Sequence, residues 1–226
     1  MTIAALILPL ALLQAEAPAP SAADQEAEAR FEHCVAQIER TPERAYEEGM
    51  AWASEGHSLQ AYRCAAMALI GEHRYDEGAR RLQSLATATS PDLTALRAAL
   101  LSQAGNAWLL AHNPSQARSA FTMAITTLQA DPSQQPDLLI DRARAYAMEH
   151  DYRHAEEDLS HSLDIRPNDA LALQLRAETR LRQSSFDLAE SDINAAIALD
   201  PRNVEFYKTR GDIIESRRTG TVVDEQ

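Results

Sequence analysis

Aromatic residues and glycine are scarce in this chain of 226 residues: Phe, Trp and Tyr make up 5% of it, and there are 7 glycines. Sheet-rich domains favour branched and aromatic residues, so this scarcity, beside abundant alanine, favours helices that pack closely together. Hydrophobic residues reach 45%, which is ordinary for a globular protein and excludes a wholly disordered chain. The composition therefore predicts an all-α fold.

Positive charge is also in short supply, and Lys208 is the only lysine. The chain has 21 basic against 34 acidic side chains, which gives a net charge of -13. A nucleic acid or an anionic membrane surface would be repelled by such a chain instead of releasing counterions to it. Neither is predicted as a partner.

Apolar runs long enough to cross a membrane are absent from the sequence. The amino-terminal run from Ile3 to Leu13 has 11 residues, well short of the ~20 that a spanning helix needs. Small residues and a Pro-rich stretch follow it, a pattern that is typical of a signal peptide. We therefore expect export, to the periplasm, without a stable membrane span. If the segment is not a signal peptide, the expected location is cytoplasmic.

A proline returns at a fixed interval near the carboxyl terminus. Pro167 and Pro201 lie 34 residues apart, in the segments IRPND and LDPRN. Proline cannot continue a preceding helix, so each one is expected to close a helical hairpin. Residues 136 to 169 and 170 to 203 also share the spacing of two helices around a tight turn. The matching positions are Leu139, Ala143, Tyr146, Tyr152, Ala155, Leu159 and Ser162 in the first unit and Leu173, Ala177, Ala189, Ile193 and Ala196 in the second.

This pattern resembles the tetratricopeptide repeat, and the resemblance covers nearly all of the chain after the amino-terminal segment. It implies an α-solenoid, a right-handed superhelix of antiparallel helix pairs with a concave inner face. The predicted organisation is a signal peptide and Pro/Ala-rich linker (1–25), a degenerate first repeat (26–58), repeats at 59–97, 98–135, 136–169 and 170–203, a capping helix (204–218) and a disordered tail (219–226).

The concave face is where members of this family bind protein or peptide partners, and the repeat register indicates which side chains point into it. These positions mix charged and apolar residues, which suits an extended peptide or a helix. The predicted groove consists of Arg63, Met67, Asn106, Leu109, Ile140, Arg144, Met148, Gln174, Glu178 and Arg182.

Motifs for catalysis or cofactor binding are absent, including phosphate-binding loops and HExxH. We therefore expect no enzymatic activity and no cofactor. His154, Asp158 and His161 have a helical spacing that could present three metal ligands on one face. A solvated outer helix face explains the same residues, so no metal site is predicted.

Cysteine is nearly absent, and Cys34 and Cys64 are the only two. An even number suggests a disulfide in an exported chain, whereas in the cytosol it suggests two small core residues. The resemblance places both on adjacent first helices, facing each other across the inner surface. If the chain is exported, a Cys34–Cys64 disulfide is predicted.

Two functions follow from this reading. The first is a non-enzymatic scaffold that binds a protein or peptide partner in its concave groove. The alternative is a self-assembling homo-oligomeric module, in which the degenerate first hairpin contacts another copy through apolar surface near Tyr46, Met50 and Trp52.

Overall fold

A computed structural model describes residues 21–56 and 58–222, so the predicted signal peptide and the last four residues lie outside the described part. Eleven α-helices and a single turn of 3-10 helix, Pro132–Gln134, occupy these residues, which contain no strand. The helices are α1 (Ala22–Ile38), α2 (Pro42–Gly56), α3 (Leu59–Gly71), α4 (Tyr75–Ala88), α5 (Thr94–Leu110), α6 (Pro114–Thr127), α7 (Pro136–Met148), α8 (Tyr152–Ile165), α9 (Ala170–Arg182), α10 (Phe186–Leu199) and α11 (Val204–Thr219).

Each helix packs on its neighbours in the chain, and α11 also contacts α9, so the helices form five hairpins and one final helix. Short polar side chains begin several of them. The side chain of Asn113 accepts a hydrogen bond from the backbone N–H of Gln116, and Asp169 does the same for Ala172. These bonds satisfy backbone donors that the first turn of a helix leaves without partners. Pro167 and Pro201 lie in the turns that end two of the hairpins, as the sequence predicted.

The turn inside each of four hairpins contains a residue with positive φ that is not glycine. At such a turn the next backbone N–H reaches back to the last turn of the first helix. Asp151 donates to the carbonyl of Tyr146 at 2.9 Å, for example. A left-handed residue, followed by a backbone hydrogen bond to a carbonyl five residues earlier in the chain, is characteristic of a Schellman-type helix end. The four residues are His73, His112, His150 and Ser184.

Small residues allow the two helices of a hairpin to approach closely. The clearest case is Gly105 of α5, where a side-chain Cβ would lie 2.5 Å from the ring of Phe121 in α6. The core is built the same way along its length, from alanine on one helix and larger apolar residues on the next. It divides into an amino-terminal, a central and a carboxyl-terminal cluster of buried residues.

The amino-terminal hairpin is joined to the next one by a disulfide. Cys34 of α1 and Cys64 of α3 are bonded, with their Cα atoms 6.1 Å apart. Both sulfur-bearing residues are buried, and Phe31 is the other buried apolar residue of α1. The helix therefore has little buried apolar surface of its own to hold it in place.

Two boundaries differ from the predicted organisation. The first helix of the third hairpin begins at Thr94, whereas the predicted unit begins at 98. The last helix runs through Thr219 and ends at Gly220, whose φ of 71° suits glycine, whereas the predicted tail begins at 219. The end of α6 and the 3-10 turn take up the last residues of the predicted unit 98–135. Among the described residues, no helix combines the length and the apolarity needed to cross a membrane.

Candidate functional site

The candidate site is a groove of about 600 Å³ formed by α7, α8, α9 and α11. Four of the ten predicted groove residues line it: Arg144, Met148, Glu178 and Arg182. Arg144 is exposed, and 40% of Met148 is accessible to solvent although it is a large apolar residue. The carboxyl-terminal repeats thus bring charged and apolar side chains together on one concave surface.

The remaining lining residues are of two kinds. Apolar side chains form part of the wall: Ala143, Ala147, Leu159, Leu175 and Leu181. Polar side chains complete it: His150, Tyr152, Thr179, Thr209 and Asp212. A groove of this composition can bury an apolar side chain of a ligand and hold a neighbouring polar group.

The repeat interval explains why these residues share one surface. Arg144, Glu178 and Asp212 follow each other at intervals of 34 residues, on α7, α9 and α11. Met148 and Arg182 are related in the same way. The sequence predicted α11 only as a capping helix, so the contribution of α11 to the groove was not predicted. Asp212 lies 34 residues after Glu178, so one more repeat interval would have predicted it as a groove residue.

A hydrogen-bonded group fixes one side of the groove. The carboxylate of Glu178 accepts a bond from Gln174 at 2.9 Å and another from the hydroxyl of Thr209 at 3.1 Å. Gln174 also donates to Thr209 at 3.4 Å. These bonds connect α9 to α11, so Gln174 helps to shape the groove without lining it, whereas Glu178 does both.

Asp141 is a residue that sequence reasoning did not place in the predicted groove, and it lies beside two residues that it did. Its carboxylate accepts hydrogen bonds from Asn106 at 3.3 Å and from Arg144 at 3.1 Å. Burial raises the pKa of Asp141, and the positive charge of Arg144 acts against this. Asn106 therefore contributes to a contact between α5 and α7, and Arg144 is held at the edge of the carboxyl-terminal groove.

Arg63 and Met67 lie in the amino-terminal part of the chain, away from this groove. The Nε of Arg63 donates to Gln103 at 3.1 Å, and its guanidinium lies 4.7 Å from the ring centroid of Phe31. Burial lowers the pKa of Arg63. Met67 is partly buried against the amino-terminal core. Arg63 thus already has internal contacts that a ligand would have to replace.

Two apolar members of the predicted groove contribute to the core. Leu109 is partly buried against the central cluster. Ile140 is 3% exposed and belongs to the carboxyl-terminal core cluster, so its prediction as a groove residue is corrected. The first turns of α7 bury Pro136, Leu138 and Leu139 as well, which leaves little of this segment available to a ligand.

Two of the three residues considered as metal ligands, His154 and Asp158, have other contacts. His154 bonds to Asp151, with 2.5 Å between Nδ1 and Oδ2, and stacks on the ring of Tyr146. Asp158 is buried and bound by Arg142. In the part of the chain that the structure describes, no three His, Cys, Asp or Glu residues are grouped in a way that could hold a metal ion.

The apolar surface predicted at the first hairpin is largely covered. Trp52 is 7% exposed, and the guanidinium of Arg30 lies 4.7 Å from its ring centroid. Tyr46 is also partly buried, and Arg81 donates to its hydroxyl at 3.2 Å. Nη1 of the same arginine lies 3.8 Å from the sulfur of Met50. These residues pack within their own chain, which corrects the expectation of an open apolar patch there.

Comparisons with solved structures find close agreement in fold at low sequence identity. A double mutant of MamA RS-1 matches with a TM-score of 0.63 and 15% identity, over 78% of this chain and 95% of that one. YrrB, described as a TPR protein with an unusual peptide-binding site, matches with a TM-score of 0.61 and 15% identity, over 82% and 92%. The chain has the tetratricopeptide-repeat fold. The first TPR domain of human RPAP3 aligns with part of this solenoid, with a TM-score of 0.51 and 22% identity, over 57% and 96%.

Sequence comparisons reach less far than these structural ones. No family model matches the chain. Protein unc-45 homolog B of Xenopus tropicalis is 25% identical over 126 residues, which is 56% of this tetratricopeptide-repeat chain. The chain spans 13% of the length of that curated relative.

Proposed function

We propose that this protein is a non-enzymatic scaffold that binds a segment of a protein partner in the groove between α7, α9 and α11. The observation that carries the proposal is the meeting of Arg144, Met148, Glu178 and Arg182 around one cavity of about 600 Å³. Exposed methionine adapts its shape to varied apolar ligands, while arginine binds carboxylates through paired hydrogen bonds.

The chemistry of the groove defines the kind of segment that fits. An apolar side chain of the partner would pack on Met148, Ala147 and Leu175, and a neighbouring carboxylate would lie at the rim beside Arg144 or Arg182. Glu178 and Asp212 lie on the same wall and would accept hydrogen bonds from the partner's backbone or from a basic side chain. An extended peptide can offer an apolar and a charged side chain at neighbouring positions.

The similarity to YrrB supports this proposal, because that protein is described as having a peptide-binding site and shares the fold over most of both chains. The net charge of -13 adds to it by disfavouring nucleic acids, the other large class of extended ligand.

We further propose that the scaffold acts after export, in the periplasm. Two features support this location. The amino-terminal run of 11 apolar residues followed by small residues is typical of a signal peptide. The two cysteines of the chain lie in bonding contact, and structural disulfides persist in oxidising compartments.

A selection from a peptide library tests the groove. Purified protein would be panned against random dodecamers, and the affinity of selected peptides measured by calorimetry. Arg144→Ala and Met148→Asp are expected to weaken binding by tenfold or more, since a desolvated charged hydrogen bond contributes about 1.5 to 3 kcal/mol. Glu157→Ala is the control, because Glu157 lies exposed on α8 and pairs with Arg153 of the same helix. Equal losses in all three variants would reject the groove as the binding site.

A further inference from the structure

The final helix, α11, presents an apolar stripe to solvent. Tyr207 is 41% exposed, Ile214 is 51% exposed and Val204 is 74% exposed, all unusually high for large apolar residues. Gly211 lies between them, and a Cβ placed on it would have no neighbour within 4 Å. The opposite face of the helix is buried in the fold through Phe206, Thr209, Ile213 and Ser216.

This stripe is a helix-packing surface according to the repeat register. Tyr207 and Gly211 stand 34 residues after Leu173 and Ala177 of α9. Both of those residues are buried in the core that α9 shares with α10. Gly105 holds the equivalent small-residue position in α5, and there the ring of Phe121 from α6 covers it. In the α5–α6 and α9–α10 hairpins the second helix thus covers this surface, whereas the described part of the chain leaves it open on α11.

We propose that this surface packs against the same surface of a second copy, with the two α11 helices antiparallel and a two-fold axis passing near Gly211. The spacing of Val204, Tyr207, Gly211 and Ile214 alternates by three and four residues, which keeps them on one side of the helix. In the antiparallel arrangement Tyr207 meets Ile214 of the second copy, and the absence of a side chain at Gly211 allows the helices to approach closely.

The charges beside the stripe favour a second copy as the occupant. Lys208 and Glu215 lie on the same flank, seven residues apart; they are 59% and 48% exposed and pair within α11 with Glu205 and Arg218. An antiparallel two-fold brings Lys208 opposite Glu215 of the second copy and Glu215 opposite Lys208 of the second copy. A parallel pair would instead place Lys208 against the opposite flank of the second copy, which carries Arg210 and Arg217 and no acidic residue. The stripe is therefore complementary to itself in one orientation.

Other features limit the strength of this contact. Arg210 lies over the ring of Tyr207, with 5.1 Å to the ring centroid. The two-fold axis brings Arg210 near Arg210 of the second copy, and the two positive charges repel each other. A contact made mainly by one helix from each side also buries less than the ~1,200 Å² typical of stable interfaces. We therefore expect a reversible dimer with a dissociation constant on the order of micromolar.

Sedimentation velocity over a range of protein concentrations tests the proposal. The wild type is expected to shift from monomer to dimer. Lys208→Glu and Glu215→Lys should each weaken the dimer at least tenfold, because each places two like-charged pairs in the contact. The double variant should regain an affinity within about threefold of the wild type. Glu157→Lys makes the same charge change on the exposed face of α8 and should leave the equilibrium unchanged.

Three results would overturn the proposal, provided that circular dichroism shows each variant to be folded. A wild type that stays monomeric at all concentrations would leave the stripe to some other occupant. Growth of the mass beyond a dimer would indicate open-ended stacking and exclude the closed two-fold contact. A double variant as weak as the single ones would show that Lys208 and Glu215 do not face each other.

Discussion

Arg142 of α7 and Asp158 of α8 form a doubly hydrogen-bonded ion pair that links the two helices of one hairpin. Nε and Nη2 of the arginine each donate to a carboxylate oxygen at 2.7 Å. The pair repeats 34 residues later, where Arg176 binds Asp192 at 2.9 and 2.8 Å. In each pair both side chains are less than one fifth exposed. The two most regular repeats therefore share a charged link between their helices as well as an apolar core.

Removing one member of such a pair is expected to cost more than removing both. Asp158→Ala leaves the largely buried guanidinium of Arg142 without its partner, and should lower the free energy of unfolding by about 3 kcal/mol. Arg142→Met combined with Asp158→Leu should be much less destabilising, since no buried charge is left unpaired. Urea unfolding of the single and double variants measures both. Additive losses would show that the two residues contribute independently.

Two glycines offer a matched pair of substitutions. Gly105→Ala places a methyl group 2.5 Å from the ring of Phe121 and should destabilise the protein by about 1 to 3 kcal/mol. Gly211→Ala meets no neighbour and should stabilise the monomer by about 0.5 to 1 kcal/mol, because alanine is the better helix former. Unfolding at a concentration too low for dimers gives both values. A loss at Gly211 as large as that at Gly105 would contradict this account of their surroundings.

The sequence predicted the helices of this solenoid well because their ends depend on local chemistry. Pro114, Pro136 and the prolines of the 34-residue interval stop or start helices through the geometry of their own rings. The 34-residue interval also predicted the turns at Pro167 and Pro201. The positive φ of His73 and His150 was not predicted, since few residues other than glycine adopt that conformation and here the fold imposes it.

The groove was predicted less completely, because a position in a repeat does not decide what its neighbours cover. Ile140 occupies a groove position by register yet is buried in the core. Asp212 comes from a helix that was assigned only a capping role. Contacts such as Asn106 with Asp141 join residues 35 apart on different helices, so they depend on side-chain conformations that a linear pattern does not contain.

The disulfide should stabilise the amino-terminal hairpin selectively. A bridge across a separation of 30 residues contributes about 3.5 kcal/mol by the chain-entropy estimate. Protein purified from the periplasm is expected to show no alkylatable thiol before reduction. Reductant should then increase hydrogen exchange in α1 and α2 first, because α1 buries few apolar residues. Cys34→Ala with Cys64→Ala is the control that reductant should not affect. Two reactive thiols in the unreduced protein would refute the bridge and remove its support for the proposed export.

Removal of residues 204 to 226 should expose the end of the core. Phe206 and Ile213 are 3% and 0% exposed in the carboxyl-terminal cluster, and burial of each such side chain contributes about 1.5 to 3 kcal/mol. The truncated protein is expected to aggregate or to fray from α10, since the stability of a repeat stack is nearly a sum of neighbour terms. Light scattering and hydrogen exchange along α9 and α10 check this. Unchanged exchange in these helices would show that α11 does not cap the stack.

Asp141 should make stability depend on pH in a direction opposite to that of most carboxylates. Burial raises the pKa of Asp141 in the folded protein, so the native state binds its proton more readily than the unfolded chain, whose aspartate has a pKa of about 3.9. Its contribution to stability is then greatest below that value and is lost as the pH rises through the folded pKa.

Asp141→Asn removes this titration and keeps an oxygen that can accept the bond from Asn106. The free energy of unfolding of the variant, minus that of the wild type, is therefore expected to be larger at pH 7 than at pH 3.5. At pH 3.5 the carboxyl of the wild type is already protonated, so the substitution changes less. Urea unfolding of both proteins at the two pH values measures the difference. Arg144→Ala serves as a control. It keeps Asp141 but removes the positive charge that lowers the pKa of Asp141, so the stability of this variant should depend more strongly on pH than that of the wild type. A variant that loses more stability at pH 7 than at pH 3.5 would show that the attraction between Arg144 and Asp141 outweighs the cost of burying the carboxylate.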